Sequence, residues 1–242
     1  MARSNPGEFF DEWSVYDQVL DHNYMFHDEI FRDVHLLFID RFGKRSFTVL
    51  DLGCGSARHL SRALQGCSVS RYVGYDLSDA ALAQAKGNLA GLRCPVELHQ
   101  GDLLEGLKDS ERFDLIFSSF ALHHLVSGDK ANFFQFAYQR LDEKGILVLI
   151  DVMRENDEDR PVYLDRYCGW LRSEWKTLTT EALDAFCDHI RSYDFPETAA
   201  AIRAMAKHAG FSCSEVNRFR WHHIGQFDKS HSRVESASEK AR

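Results

Sequence analysis

The sequence lacks the features of several protein classes. Its 242 residues contain no run of 18 apolar residues, so no transmembrane helix is expected. The first ten residues show no apolar stretch after a basic start, so no secretory signal peptide is expected. No internal repeat of solenoid length is present. This length then fits one large domain, or one domain with an insertion.

The cysteines do not follow the spacing of a disulfide framework or a zinc site. The six cysteines lie far apart and form no C-x-x-C, at Cys54, Cys67, Cys94, Cys168, Cys187 and Cys213. This spacing argues against a disulfide framework and against a structural zinc site. It favours a reducing, cytoplasmic environment.

The chain also lacks a block of lysine and arginine. Its formal net charge is −8. An acidic surface repels phosphate backbones, and no basic segment offsets that repulsion. Nucleic acid is therefore disfavoured as the main substrate.

Short apolar runs alternate with helical segments along the middle of the chain. The runs predict five buried strands, at residues 47–52, 71–76, 95–99, 113–118 and 146–150. Strands and helices that alternate in this way indicate right-handed βαβ units. We expect an α/β fold, Rossmann-like and doubly wound, with a mostly parallel seven-stranded sheet, helices on both faces and a helical cap.

The five predicted strands lie in a core of residues 47–152. The rest of the chain divides into four further segments. Residues 1–46 are predicted to be helical, as a lid over a ligand site or as packing on the sheet. Residues 153–196 lack a strand pattern and carry an aromatic stripe, which fits either core or a helical cap over a ligand site. Residues 197–227 are predicted to add a helix and two strands that complete the sheet. Residues 228–242 are polar and are predicted to be disordered.

A glycine-rich turn follows the first predicted strand. Gly53 permits a sharp turn and Gly55 permits close approach of a ligand, at the start of a helix whose N–H groups face outward. A dinucleotide-binding turn needs a third small residue, but Arg58 occupies that position. No P-loop is present. The turn therefore disfavours NAD and nucleoside triphosphates.

Two acidic residues follow the second and third predicted strands. Asp76 stands where a carboxylate can grip ribose hydroxyls. Its alternative role is that of a helix-start aspartate near Ser78. Asp102 can accept a hydrogen bond from an adenine amino group, or it is a turn residue.

Four motifs in series resemble class I S-adenosylmethionine-dependent methyltransferases. They lie at residues 49–56, 72–78, 113–125 and 141–147, in the family's order and spacing, although Ala57 stands where the family usually has glycine. The resemblance implies S-adenosylmethionine as the cofactor. The implied cofactor-binding residues are Tyr16, Asp51, Gly53, Cys54, Gly55, Ser56, Asp76, Leu77, Gly101, Asp102, Leu103, Ser118 and Ser119.

The same resemblance directs attention to His123 and His124, which follow the fourth strand where an acceptor would approach. Either can act as a base near neutral pH, or one can cap or pack while the other faces solvent. No metal site is predicted, since His222 and His223 point to opposite faces of a strand. We expect a methyltransferase acting on an O or N atom of a small molecule. The alternatives are a tRNA or protein methyltransferase and a non-catalytic cofactor-binding partner.

Overall fold

The computed structural model describes residues 18–229. Within them a single seven-stranded sheet has the order β3-β2-β1-β4-β5-β7-β6. The strands are β1 Phe47–Leu52, β2 Val69–Asp76, β3 Val96–Gln100, β4 Phe113–Ser119, β5 Leu141–Val152, β6 Phe211–Phe219 and β7 His222–Lys229. Tyr16, which the resemblance implied to be a cofactor-binding residue, lies outside the described residues.

Strands β1 to β5 pair in parallel, and β7 is antiparallel to both β5 and β6. The sheet is therefore mixed and mostly parallel. The chain order reverses beside β1, because β2 lies on one side of it and β4 on the other. Ligands of open α/β sheets bind at the carboxyl ends of the strands near such a reversal.

Helices cover both faces of the sheet. They are α1 His27–Phe42, α2 Arg58–Ala63, α3 Asp79–Asn88, α4 Ser127–Arg140, α5 Arg160–Glu174, α6 Thr180–Tyr193 and α7 Ala199–Ala209. Alternate residues of β5 enter two different apolar clusters, with Ile146 packing beside α1 and Leu147 beside α4 and α7. No helix within residues 18–229 is long and apolar enough to cross a bilayer.

Two predicted boundaries are corrected by the strand pairing. The fifth strand, predicted at residues 146–150, begins already at Leu141, because the buried Leu141 pairs with Phe113 and α4 ends at Arg140. Asp228 and Lys229, assigned to a disordered tail, belong to β7. Asp228 pairs there with Ile146 on one side and Ser212 on the other.

The segment after β5 forms its own apolar cluster around α5 and α6. Thr179 caps α6, as predicted, by accepting a hydrogen bond from the Ala182 N–H. Tyr163 and Trp175 are almost fully buried in this cluster, which also contains Trp221. The aromatic stripe is thus the core of the segment and not the wall of a pocket.

Candidate active site

The glycine-rich turn is held by backbone contacts at the end of β1. The N–H groups of Gly53 and Cys54 both donate to the carbonyl of Tyr75 on β2, at 2.8 and 2.9 Å. Gly53 has φ of 73°, and a Cβ there would lie 2.5 Å from the Cβ of Ala121. A side chain at Gly53 would therefore push away the loop that follows β4.

Gly55 and Ala57 also have left-handed backbone, with φ of 52° at each. A Cβ on Gly55 would meet no atom within 4 Å, so this position faces open space. Ala57 adopts the same conformation with a methyl group, which costs about 1–2 kcal/mol relative to glycine. The departure from the family's usual glycine is therefore accommodated without closing the turn.

Asp76 lies at the end of β2 and supports the turn directly. Its Oδ2 accepts from the Gly55 N–H at 2.7 Å, and its Oδ1 accepts from the Ser78 N–H at 2.9 Å. Burial raises the pKa of this carboxyl, and the backbone donors oppose that rise. Asp76 therefore organises the turn as well as facing the cavity in front of it.

Asp102 has the features of a turn residue and also borders the cavity. Its Oδ1 accepts from the N–H groups of Leu104 and Glu105, at 2.7 and 2.8 Å. Asp102 is exposed, whereas its neighbours Gly101 and Leu103 are buried. Both roles considered for Asp102 are thus compatible with its position.

A cavity of about 330 Å³ lies over the carboxyl ends of β1 to β4. Its size falls in the usual range for ligand pockets. It brings together most of the predicted site residues, namely Asp51, Gly53, Cys54, Gly55, Ser56, Asp76, Leu77, Gly101, Asp102, Leu103, Ser119 and His124.

Two of the predicted site residues do not line this cavity within residues 18–229. Ser118 is fully buried, and its hydroxyl donates to the carbonyl of Leu52 at 2.8 Å. This hydrogen bond joins β4 to β1. Side chains on a strand alternate between its two faces, so Ser119 faces the cavity and Ser118 does not. His123 is the second, and its environment is given below.

Asp51 presents a buried carboxylate to the cavity. Its Oδ2 accepts from the Tyr72 hydroxyl at 2.5 Å, while its Oδ1 has no hydrogen-bond partner among the described residues. Burial raises the pKa of Asp51 to about 7, against the lowering effect of the Tyr72 hydroxyl and with a further rise from Asp76. An incoming ammonium group would satisfy the unpaired oxygen and stabilise the ionised carboxylate.

This raised pKa predicts pH-dependent cofactor binding. Because the pKa of folded Asp51 is about 7, the ionised form that pairs with an ammonium becomes populated only as the pH rises through that value. We expect affinity for S-adenosylmethionine to increase by up to about tenfold per pH unit below pH 7. Calorimetry between about pH 6 and pH 7.5 measures this. Asp51→Asn is the matched control, and an unchanged slope in that variant would contradict the assignment.

Histidines from outside the predicted motifs also line the cavity. His27, at the start of α1, stacks on His59 with ring centroids 4.8 Å apart. Burial lowers the pKa of both, to about 4 for His59, so both rings are neutral near pH 7. Across residues 18–229, His27 Nδ1 is buried without a hydrogen-bond partner. Nothing in the spacing of His27 in the sequence predicts that α1 reaches this cavity.

His123 is buried between two carboxylates behind the cavity wall. Its Nδ1 lies 2.5 Å from Asp151 Oδ1, and its Nε2 lies 3.7 Å from Asp194 Oδ2. Burial alone would lower the pKa of His123, but the two carboxylates outweigh it and raise the pKa to about 9. A ring already protonated near pH 7 does not accept a proton, so this geometry disfavours His123 as a base.

His124 lies beside it and does line the cavity. Its Nδ1 is 3.4 Å from Asp194 Oδ1, and its ring centroid is 4.1 Å from that of His123. The Phe195 N–H donates to the carbonyl of His123 at 2.7 Å. The end of α6 is thereby attached to the loop that carries both histidines.

Known proteins resemble this chain in sequence and in fold. Residues 49–145 match a family model described as a methyltransferase domain. The tRNA U34 carboxymethyltransferase of Shewanella denitrificans is 33% identical over 164 residues, covering 64% of this chain and 48% of that protein. The chain thus spans about half the length of the curated relatives of this type.

Solved structures show the same fold at lower sequence identity. Human N-acetylserotonin methyltransferase, in complex with SAM, has a TM-score of 0.61 at 16% identity, covering 93% of this chain and 57% of that chain. DhpI in its SAH complex has a TM-score of 0.57 at 15% identity, covering 94% of this chain and 100% of that chain.

The motifs, the cavity at the chain reversal and the family match all indicate a methyltransferase domain. Residues 49–145 are therefore similar to known methyltransferase domains, and the fold of the chain is that of solved methyltransferases. The cofactor of this family is S-adenosylmethionine, as the motifs led us to expect.

Proposed function

We propose that this chain transfers the methyl group of S-adenosylmethionine to an O or N atom of a small molecule. The observation that carries the proposal is the continuity of one cavity across four strand ends. It runs from Asp102 after β3 and Asp76 after β2, past the Gly53–Gly55 turn, to Phe120 and His124 after β4. The β2 and β3 side is assigned to the nucleoside, and the β4 side to the acceptor.

The residues present fit the cofactor in three places. Asp51, with its unpaired Oδ1, would hold the amino group. Asp76 would hold the ribose hydroxyls, and the open space at Gly55 would admit the methionine chain. When bound, the sulfonium supplies a methyl group that is already activated, so the protein contributes mainly positioning and control of charge.

At the β4 end we assign different roles to the two adjacent histidines. His124 lines the cavity and is our candidate for contact with the acceptor atom. His123 is assigned a positioning role, because Asp151 accepts hydrogen bonds from both its backbone N–H and its ring. Apolar and aromatic side chains beside them, including Leu20, Phe31 and Phe120, would exclude water from the transferring methyl.

The charge of the cavity favours a small acceptor over a polynucleotide. Its lining contains the carboxyl groups of Asp51, Asp76 and Asp102 and one guanidinium, that of Arg58, which is paired with Asp21 at 2.7 Å. Such a lining repels phosphate groups, as does the net charge of −8. The second candidate is transfer to tRNA, favoured by the 33% identity to a tRNA U34 carboxymethyltransferase.

Transfer of label from the cofactor distinguishes these candidates. The protein is incubated with methyl-labelled S-adenosylmethionine and either a cell-extract fraction of small metabolites or purified total tRNA. We expect label in a small product, found by mass spectrometry, and none in tRNA. Asp76→Ala should abolish the signal, and Asp79→Ala, an exposed neighbour in α3, should retain it. Label confined to tRNA would establish the second candidate instead.

A further inference from the structure

Three ligand-type side chains meet where the end of α6 reaches the loop after β4. Asp194 ends α6, and His123 and His124 form a short 3-10 turn after β4. One ligand atom from each of the three lies within 4.8 Å of the other two. Asp194 and His123 are buried and His124 is partly buried, so this is not an exposed cluster of acidic groups.

The spacing of these atoms is longer than that of hydrogen bonds. His124 Nδ1 and His123 Nε2 lie 3.4 and 3.7 Å from the oxygens of Asp194. An N–H···O bond spans about 2.7–3.2 Å. In a tetrahedral zinc site with Zn–N and Zn–O bonds of about 2.0–2.1 Å, neighbouring ligand atoms are about 3.3 Å apart. The observed separations are those of ion pairs, and they also match the edges of a metal tetrahedron.

Asp151 is a carboxylate placed to support a metal-binding histidine. Asp151 Oδ1 engages His123 Nδ1 at 2.5 Å, which directs Nε2 of the same ring towards Asp194. Metal-binding histidines commonly donate their other nitrogen to a carboxylate in this way. Asp151 and Asp194 are both buried, and a divalent cation that replaces the Nε2 proton of His123 would compensate both negative charges.

We propose that His123, His124 and Asp194 bind a divalent ion of the zinc type. Two imidazoles and a carboxylate form a donor set that Zn²⁺ prefers, and three protein ligands leave a fourth coordination position. Because His124 lines the cavity, the ion would lie at the β4 side of it. There it would act as a Lewis acid towards a hydroxyl or amine acceptor and would fasten α6 to the loop after β4.

Metal binding is tested without any methyl acceptor. Protein stripped with a chelator is titrated with Zn²⁺, and bound zinc is measured after gel filtration by elemental mass spectrometry. We expect one equivalent, with affinity at least about 100-fold weaker in His124→Gln and in Asp194→Asn. His99→Gln, an exposed histidine on β3, should bind as the unchanged protein does.

Co²⁺ substitution identifies the ligands independently. Two imidazoles and a carboxylate should give the visible ligand-field bands of a tetrahedral ion without a thiolate charge-transfer band in the near ultraviolet. Metal held by any of the six cysteines would show that second band and would overturn the proposal. So would equal zinc binding by His124→Gln and the unchanged protein. Because neither measurement uses turnover, their failure would leave the proposed methyl transfer standing.

Discussion

Replacing Trp175 by alanine is expected to lower the free energy of unfolding by about 3–5 kcal/mol. The side chain is 2% exposed and stacks on Tyr24, with ring centroids 5.3 Å apart. It also contacts Trp170 and Phe186 edge-on, at 6.0 and 5.6 Å. Its removal would leave a cavity among rings from three segments.

Urea unfolding followed by circular dichroism measures this loss. Val162→Ala is the matched control, because Val162 lies on α5 with 56% of its surface exposed and should change stability by less than about 0.5 kcal/mol. Affinity for the cofactor should be unchanged in folded Trp175→Ala, since Trp175 does not line the cavity within residues 18–229. Normal stability with lost acceptor turnover would instead support a pocket-lining role for the stripe.

The parallel core of the fold could be predicted because its strands are buried on both faces. Such strands are continuous apolar runs, which is why residues 47–52 were delimited as the structure has them. The start of β5 was not, because Asp142, Glu143 and Lys144 look like a turn and only pairing of Leu141 with Phe113 reveals the strand.

The lining of the cavity at the ends of β1 to β3 could be predicted from local pattern. Gly53, Gly55, Asp76 and Asp102 each stand at the end of a strand, and parallel strands bring their carboxyl ends to one edge. The motif alone does not predict which of Ser118 and Ser119 faces the cavity. That choice depends on which face of β4 turns to the cavity.

The acceptor side depends on contacts between distant segments. Nothing in the sequence near His123 indicates that Asp151 and Asp194 enclose it, or that its pKa is raised to about 9. The approach of His27 to His59 likewise depends on how α1 packs against α2. Local periodicity predicts the elements, but it does not predict which of their side chains meet.

Asp76→Ala is expected to weaken binding of S-adenosylmethionine by about 2–3 kcal/mol, or roughly 30- to 150-fold. In the structure its carboxylate accepts hydrogen bonds from the N–H groups of Gly55 and Ser78, so the change removes support for the turn as well as a ligand for ribose. Calorimetry measures the affinity, and a melting curve without ligand measures the loss of stability caused by the weakened turn.

A second substitution separates these two contributions. Asp76→Asn retains one carbonyl oxygen that can accept from Gly55 but loses the negative charge. If the ribose contact dominates, Asp76→Asn should bind nearly as poorly as Asp76→Ala while melting closer to the unchanged protein, since it loses only the hydrogen bond from the Ser78 N–H. Asp79 is the exposed first residue of α3, and Asp79→Ala should change neither the affinity nor the melting temperature. Normal affinity in Asp76→Asn would reduce Asp76 to a turn residue, and the ribose would then need another partner.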